Sequence, residues 1–453
     1  MIASTALCLT THPTQVRASP EPRYIGKAEH GIQQDAISRN AREVVHRLVE
    51  QGFQAELVGG CVRDLVLGRI PKDFDVVTNA TPDDVRRVFP RSRIVGRRFQ
   101  IVHVRFGREV IEVSTYRAGS EEGGSSGAGL RSEAGRILRD NIFGERQEDV
   151  FRRDFTLNAL YYDLEKDQLI DYVDGFADLR QRVIRFIGEP AVRIEEDPVR
   201  MLRVARFRAK LSLDLSPGVE NACLENAFLL RHVPPARLFD EVLKLFQSGH
   251  AARSFDELEH LGLFAELFPE ADRAYSGVDL DLKTGLVMRG IENTDQRIAD
   301  GKPVIPAFLF AVFLWRAVKN NLGGPNDERL PSLMQLQKAS HAVLVRQVQR
   351  VAIPRRISSV VIEIWDMALR LLARRPRNIS RLLEHKRFRA GYDFLLLQAN
   401  AGEVPIGVAD WWTTIQEADA TGKEEMIRAL GASPGGRKRR RNPRKRKPRG
   451  NTP

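Results

Sequence analysis

The chain has 453 residues, 42% hydrophobic and 29% charged, the composition of an ordinary globular protein and the length of roughly three domains. Those values exclude a wholly disordered, collagen-like or disulfide-scaffold protein. The net charge of +12 is concentrated at one end. Residues 437–449 hold ten Lys or Arg and no acid; removing these ten from the 71 basic residues leaves 61 against 59 acidic ones, or +2. The implied object is a nearly neutral body with a polyanion-seeking appendage. Cys8, Cys61 and Cys223 stand far apart with no CxxC pair, which indicates a reduced, cytoplasmic-type chain without a structural zinc site. No apolar run approaches the ~18 residues of a membrane span. The best, Val304 to Trp315, contains Pro306 and reads as a buried core helix.

In chain order, residues 1–25 carry scattered Pro, Thr and Ser without periodicity and read as a disordered leader rather than a signal peptide. Ile37, Ala41, Val44, Val45 and Leu48 recur at helical spacing, so a helix is expected from Ile37 to Gln51, ended by Gly52. A strand at Ala55 to Val58 follows. A Gly59-Gly60 turn then leads into a helix through Val62, Leu65, Val66 and Leu67, broken by Pro71. A second strand is expected at Phe74 to Val77, and a hairpin from Phe99–Phe106 and Glu109–Tyr116 around Gly107. Residues 119–135 contain six glycines and four serines and read as a flexible loop. From about residue 190 onward the periodicity is helical almost throughout. The fold class is α+β: a small mixed-sheet head at 26–188, a helical neck at 189–260, a helical body at 261–430 and a disordered basic tail at 431–453.

The sharpest local signal is LVGGCVRDLVLGRIPKDFDVVT. In a strand, residues i and i+2 share a face about 7 Å apart, so Asp73 and Asp75 are expected to project their carboxylates side by side. Two such carboxylates repel unless a divalent cation neutralises them, and paired metals suit in-line phosphoryl transfer. Mg²⁺ fits this donor set, with Mn²⁺ as the alternative ion. Gly59 and Gly60, between a strand and a helix start, let the backbone approach a phosphate, and Arg63 can add a bidentate contact. Taken singly, an Asp-x-Asp is a solvated strand end and a Gly-Gly an ordinary turn; their combination carries the reading. Glu112 in VIEVST is either a third carboxylate of the metal site or an edge-strand glutamate facing water.

Two further segments add polar groups. In FRRDFTLNALYYD, Arg152 and Arg153 offer phosphate partners, and Asp154 and Asn158 are expected at i,i+4 on one helix face; the plainer alternative is an N-cap with surface polar residues. In EEDPVRMLRVARFRAKL, Asp197 at N-cap and Pro198 at N1 start a helix whose stripe is Arg200, Arg203 and Phe207. A carboxylate and a guanidinium together read the edge of adenine or cytosine, accepting from the exocyclic amine and donating to the ring nitrogen, and reject guanine or uracil. By themselves they do not separate adenine from cytosine. A capped helix with an intrahelical salt bridge is the alternative.

The motifs GGCVRD (Gly59 to Asp64), DFD (Asp73 to Asp75), RRDFTLNAL (Arg152 to Leu160) and EDPVRMLRVARF (Glu196 to Phe207), in this order and spacing, resemble the class II nucleotidyltransferases. That family comprises bacterial poly(A) polymerases and tRNA CCA-adding enzymes. The resemblance covers roughly residues 30–260. It implies that Asp73 and Asp75 bind Mg²⁺ and activate an RNA 3′-hydroxyl, that Gly60 and Arg63 contact the triphosphate, that Asp154 belongs to the active site, and that Asp197 with Arg200 holds the base. AEHGIQQDAISRNA and the run from Val76 to Gly107 look like the poly(A) polymerase branch. The basic tail fits it too, since a polymerase that extends many RNA 3′ ends needs affinity without sequence, which counterion release supplies. The expected activity is therefore template-independent addition of AMP from ATP to RNA 3′ ends. CCA addition to tRNA is the enzymatic alternative, and a non-catalytic RNA-binding protein the alternative of another class.

Overall fold

A computed structural model describes residues 21–96, 100–118, 143–276, 285–322 and 330–431. The expected Gly/Ser loop at 119–135 and the basic tail beyond Gly431 lie outside the described residues, as does most of the expected leader. The last residues assigned to the leader are ordered. Arg23–Gly26 forms strand β1, which pairs antiparallel with a later strand at 168–171. Ile25 is fully buried there, so an edge position, not local periodicity, orders this segment.

The head follows as α1 (Lys27–His30), α2 (Arg39–Glu50), β2 (Ala55–Val58), α3 (Gly60–Val66), β3 (Asp75–Thr78), α4 (Pro82–Val88), β4 (Ser92–Val95), β5 (Ile101–Phe106), β6 (Glu109–Thr115), α5 (Arg146–Phe151), β7 (Leu160–Asp163) and β8 (Gln168–Asp171). Eight strands form one sheet in the order β1-β8-β7-β2-β3-β6-β5-β4. Of its pairings only β3 with β6 is parallel. The expected hairpin is present as β5–β6, with Gly107 at φ +61° in its turn, a conformation open to glycine at no steric cost.

The strand period sorts this sheet into two faces. Val76, Leu57, Ile111 and Val113 lie on the face packed by α2, which starts at a Ser38 cap accepting from the Asn40 and Ala41 amides and buries Ala41, Val44, Val45 and Leu48. Asp75, Val77, Glu112, Glu56 and Val58 share the opposite face. Part of that second face is covered by a cluster of Val58, Val77, Tyr116, Val150, Tyr161 and Ile170. Asp75, at the start of β3, sits at the end of the strand.

After the head come α6 (Gly175–Gln181), the short strand β9 (Val183–Ile184), α7 (Pro190–Glu196), α8 (Val199–Leu211) and β10 (Asp214–Leu215), the last paired in parallel with β9. Among the described residues every later regular element is helical, beginning with α9 (Val219–Asn226), α10 (Pro235–Phe246), α11 (Ala251–His260), α12 (Leu263–Leu267) and α13 (Pro269–Tyr275). Two compact units emerge. One holds residues 1–276, 291–304 and 345–353; the other holds 277–290, 305–344 and 354–453. The boundaries expected at 188 and 260 therefore fall inside the first unit.

The second unit contains the apolar run noted in the sequence, as a helix at Pro306–Asn320 with proline in its first turn. Proline is tolerated there because that N–H has no intrahelical partner. Helices at Arg355–Ala373 and Phe388–Asn400 cross closely. A Cβ at Gly391 would stand 2.3 Å from Met367 Cγ. Among the described residues no helix is long and apolar enough to cross a membrane.

Candidate active site

Asp73 and Asp75 do not share a strand as expected. β3 begins at Asp75, and Asp73 lies exposed in the approach to it. Asp75 is half-buried and stands in register with Glu112 across the parallel β3–β6 pair. Burial and the neighbouring Glu112 charge push the Asp75 carboxyl up to about 6; Arg153 opposes the rise and Asp73 adds to it. Glu112 itself is approached by His103 Nε2, at 3.5 Å from Oε1. Its side chain is exposed, so the sequence left its role open and the register ties it to Asp75. Among the described residues no three or more His, Cys, Asp or Glu side chains form a preformed metal cage. The donor chemistry present is carboxylate oxygen, which suits a hard divalent cation that keeps waters and takes substrate phosphates as its remaining ligands.

Gly59 holds φ 76°, ψ −126° at the junction of β2 and α3, and its N–H donates to Leu160 O at 3.2 Å. A Cβ there would stand 3.4 Å from Arg153 Nη1. Glycine thus serves both the backbone conformation and the close passage of a guanidinium. Gly60 opens α3, whose first amides have no intrahelical acceptor. Cys61 beside it is buried, and burial together with Asp75 pushes its thiol up to about 12, which leaves it unreactive.

Arg63 is not free to reach outward. It is 4% exposed, its Nε and Nη2 donate to Asp64 Oδ1 at 2.8 and 2.7 Å, and its Nη1 donates to Asn158 Oδ1 at 2.9 Å. Arg153 is likewise fixed: Nη2 donates to Asp149 Oδ2 at 2.8 Å and Nε to the Tyr161 hydroxyl at 3.0 Å. Both guanidiniums form the charged floor beneath the glycine turn, rather than mobile phosphate hooks. The sequence showed the arginines but not their partners: Asn158 reaches Arg63 across 95 positions only through the fold, whereas Asp149 meets Arg153 at i,i+4, a local spacing that sequence reasoning passed over.

Asp154 and Asn158 are not on one helix. Asp154 precedes a 3₁₀ turn at Thr156–Asn158, yet the two do meet, Asn158 Nδ2 donating to Asp154 Oδ1 at 3.2 Å. The same carboxylate accepts from the Phe155 amide at 2.9 Å and from Arg203 Nε on α8. Although burial works against its charge, the Arg203 guanidinium and these hydrogen bonds hold the Asp154 carboxyl below the usual range. The chain Arg63–Asn158–Asp154–Arg203 thus joins the glycine turn to α8. Phe207 backs it, with the guanidinium carbons of Arg63, Arg203 and Arg206 at 5.1, 5.4 and 4.8 Å from its ring centroid.

Asp197 lies one residue further out than expected, because Pro198 and not Asp197 is the N-cap of α8; its Oδ1 still accepts from the Val199 amide at 3.3 Å. Its partner, however, is not Arg200. Arg237 on α10 grips both carboxylate oxygens, Nη1 to Oδ1 at 2.8 Å and Nη2 to Oδ2 at 2.6 Å. Arg200 instead donates to Glu196 Oε2 at 2.8 Å and to Arg193 O at 2.5 Å. The base-reading pair expected from the sequence is therefore two separately held groups, and Arg237 is a member that sequence reasoning missed. PPARLFDE, a proline-started amphipathic turn rich in charge, carries no cue to which acid its arginine meets.

A carboxylate pair at the end of a mixed sheet, set against a glycine turn over buried arginines and followed by a helical neck, defines a nucleotidyltransferase. Comparison with known proteins agrees along the chain. Family models described as the poly A polymerase head domain, the probable RNA and SrmB-binding site of polymerase A, and the polymerase A arginine-rich C-terminus match residues 55–185, 212–275 and 328–446. Poly(A) polymerase I of Salmonella typhimurium is 42% identical over 441 residues, spanning 96% of this chain and 94% of the relative. A CCA-adding enzyme of Bacillus licheniformis is 37% identical over 227 residues, spanning 50% of this chain and 55% of the relative. Among solved structures, the Thermotoga maritima CCA-adding enzyme complexed with tRNA shares the fold, with a TM-score of 0.57 at 18% identity over 87% of this chain and 86% of that one. The chain belongs to the poly(A) polymerase family.

Proposed function

We infer that this protein is a template-independent polymerase that adds AMP from ATP to RNA 3′ ends, with release of pyrophosphate. The observation that carries the reading is the near full-length match to poly(A) polymerase I, set against a match to a CCA-adding enzyme that stops at half the chain. The helical remainder, where an RNA-gripping surface is built, follows the polymerase branch.

In this reading Asp73 and Asp75 hold the divalent cation, Mg²⁺ in preference to Mn²⁺, whose contribution when bound is to neutralise phosphate charge and lower the pKa of the attacking hydroxyl. The chain's own residues do the rest. The amides at Gly60 and the following turn cradle the triphosphate. Arg153, fixed by Asp149, supplies positive charge beneath Gly59 without moving. The RNA 3′-hydroxyl attacks the α-phosphorus, the bond to the β-phosphate oxygen breaks, and pyrophosphate leaves. Asp197 accepts from the adenine amine and Arg200 donates to the ring nitrogen. Arg63, Asn158, Asp154 and Arg203 act as positioning residues between these two halves. The head at 26–188 carries the chemistry, the neck at 189–260 the base, and the body at 261–430 and basic tail at 431–453 the RNA. The proposed setting is the cytoplasm, where RNA and ATP occur together.

The test is incorporation with one nucleotide at a time. Long ladders on an unstructured RNA with ATP alone support the polymerase. Three-nucleotide extension of a truncated tRNA that needs CTP supports CCA addition, and no metal-dependent turnover supports a binding protein.

A further inference from the structure

The second unit holds a cavity of about 620 Å³ between the end of the helix at Arg355–Ala373, the turn at Pro376–Asn378, the start of the helix at Leu333–Arg350, and Arg381 of the short helix Ile379–Leu383. Among the described residues its charge is one-sided: Arg370, Arg375 and Arg381 line it and no acid does. Arg375 and Arg381 are exposed, and among the described residues neither has a carboxylate partner. Arg370 carries a buried Nε with no hydrogen-bond acceptor among the described residues, its charge offset by Asp366 one turn earlier; such a donor costs free energy unless a ligand or water satisfies it. Leu333 and Leu369 supply an apolar wall.

We infer that this cavity is a binding site for single-stranded RNA, taking one unstacked base against the leucine wall with its flanking phosphates on Arg375 and Arg381. Three features favour that occupant. The volume exceeds what a single nucleotide fills and lies within the range of small-ligand sites. An apolar wall beside unpaired guanidiniums matches a base next to a phosphodiester, whereas free phosphate needs no apolar wall. Asn378, half-buried on the rim, offers an amide donor and acceptor to a base edge. The contact is sequence-tolerant, as an enzyme that meets many RNA 3′ ends requires. It rests on the reading that RNA is the acceptor, and it adds a second anchor, built on residues of the C-terminal unit.

The experiment uses the full-length protein and a fluorescent fifteen-nucleotide oligo(A), with affinity read by anisotropy at several salt concentrations. Arg375→Gln with Arg381→Gln should weaken binding about ten-fold at low salt and reduce the slope of log K against log salt by about 1.4, the loss of two single-strand phosphate contacts. Ala373→Phe, which fills the cavity without altering charge, should weaken binding with the slope unchanged. Wild-type affinity in either variant overturns the proposal. Displacement of the oligonucleotide by a poly-aspartate peptide as readily as by unlabelled RNA also overturns it, in favour of an acidic protein partner. ATP incorporation by the wild-type protein is measured alongside; its absence would undo the proposed function, whereas normal incorporation with unaffected variants would remove this site alone.

Discussion

Arg237 holds Asp197 by a two-pronged fork, 2.8 Å to Oδ1 and 2.6 Å to Oδ2, from a helix forty positions along the chain. The plane of the Asp197 carboxylate is thereby set by α10, while its Oδ1 also accepts from the first amide region of α8. A planar fork of this kind fixes orientation as well as charge. The base-reading geometry proposed for Asp197 therefore depends on a residue that need not touch the nucleotide.

Arg237→Gln should accordingly raise KM for ATP roughly ten-fold, about 1.4 kcal/mol of lost orientation and charge, with a smaller fall in kcat. Discrimination of ATP from CTP should narrow. Arg237→Lys should recover charge but little selectivity, because an ammonium cannot reproduce the fork. Steady-state kinetics with each nucleotide check this. Equal kcat losses with KM untouched would show that the fork acts elsewhere.

Asp154 offers a sharp test of role. Its carboxylate is consumed by Arg203, Asn158 and the Phe155 amide, so Asp154→Ala leaves the Arg203 guanidinium without its acceptor. The pair is partly exposed on the arginine side, which tempers the several kcal/mol expected of a fully buried one; a loss of about 1–3 kcal/mol of stability is expected in urea denaturation. A metal ligand would behave in the opposite way, losing activity while the protein stayed as stable or gained stability.

Asp75→Asn should do that. The folded carboxyl titrates near 6 because of burial and Glu112, above its ordinary value near 4. Below both values the acid is protonated in either state and costs nothing. Between them the folded protein keeps the proton, and above 6 it must hold the charge. This group therefore removes stability from the metal-free protein as pH rises from about 4 to 6. Asp75→Asn should abolish AMP incorporation, leave RNA binding nearly intact, and raise the midpoint of thermal unfolding at pH 8 more than at pH 4. An unchanged pH dependence of the melting temperature would refute the assignment of strain to this carboxylate.

The ten cationic residues at 437–449 make a separate prediction. Deleting residues 434–453 should weaken RNA binding and flatten its salt dependence, since each neutralised phosphate releases counterions. Affinity at low salt that is unchanged by the deletion would assign the tail another task. Because its effect is electrostatic, it should fade at high salt, unlike that of Ala373→Phe.

The strands and helices of the head were legible where a period or a breaker marked them. Alternation and Gly107 marked the β5–β6 hairpin, and the apolar spacing from Ala41 to Leu48 marked α2. The segment 154–171 was not. Its Asp154 and Asn158 fit a helix at i,i+4, but the Leu160–Asp163 strand won because it pairs with β2 and β8 on either side, and strand pairing is a non-local energy invisible to a local window. Arg23–Gly26 was missed for the same reason.

Residue chemistry and spacing were enough to place the Gly59-Gly60 turn between a strand and a helix, to put Asp197 just ahead of a helix and to fix the cationic composition of 437–449, because each depends on residue type and short-range geometry. Which distant groups meet was decided by the tertiary structure. Arg63 with Asn158, Asp154 with Arg203, Asp197 with Arg237 and Asp75 with Glu112 are all brought together across at least 37 positions. Local pairs such as Arg153 with Asp149 and Arg200 with Glu196 follow helical spacing, but these long-range ones, the repelling carboxylates included, exist only because packing delivers the groups within a few ångströms of each other.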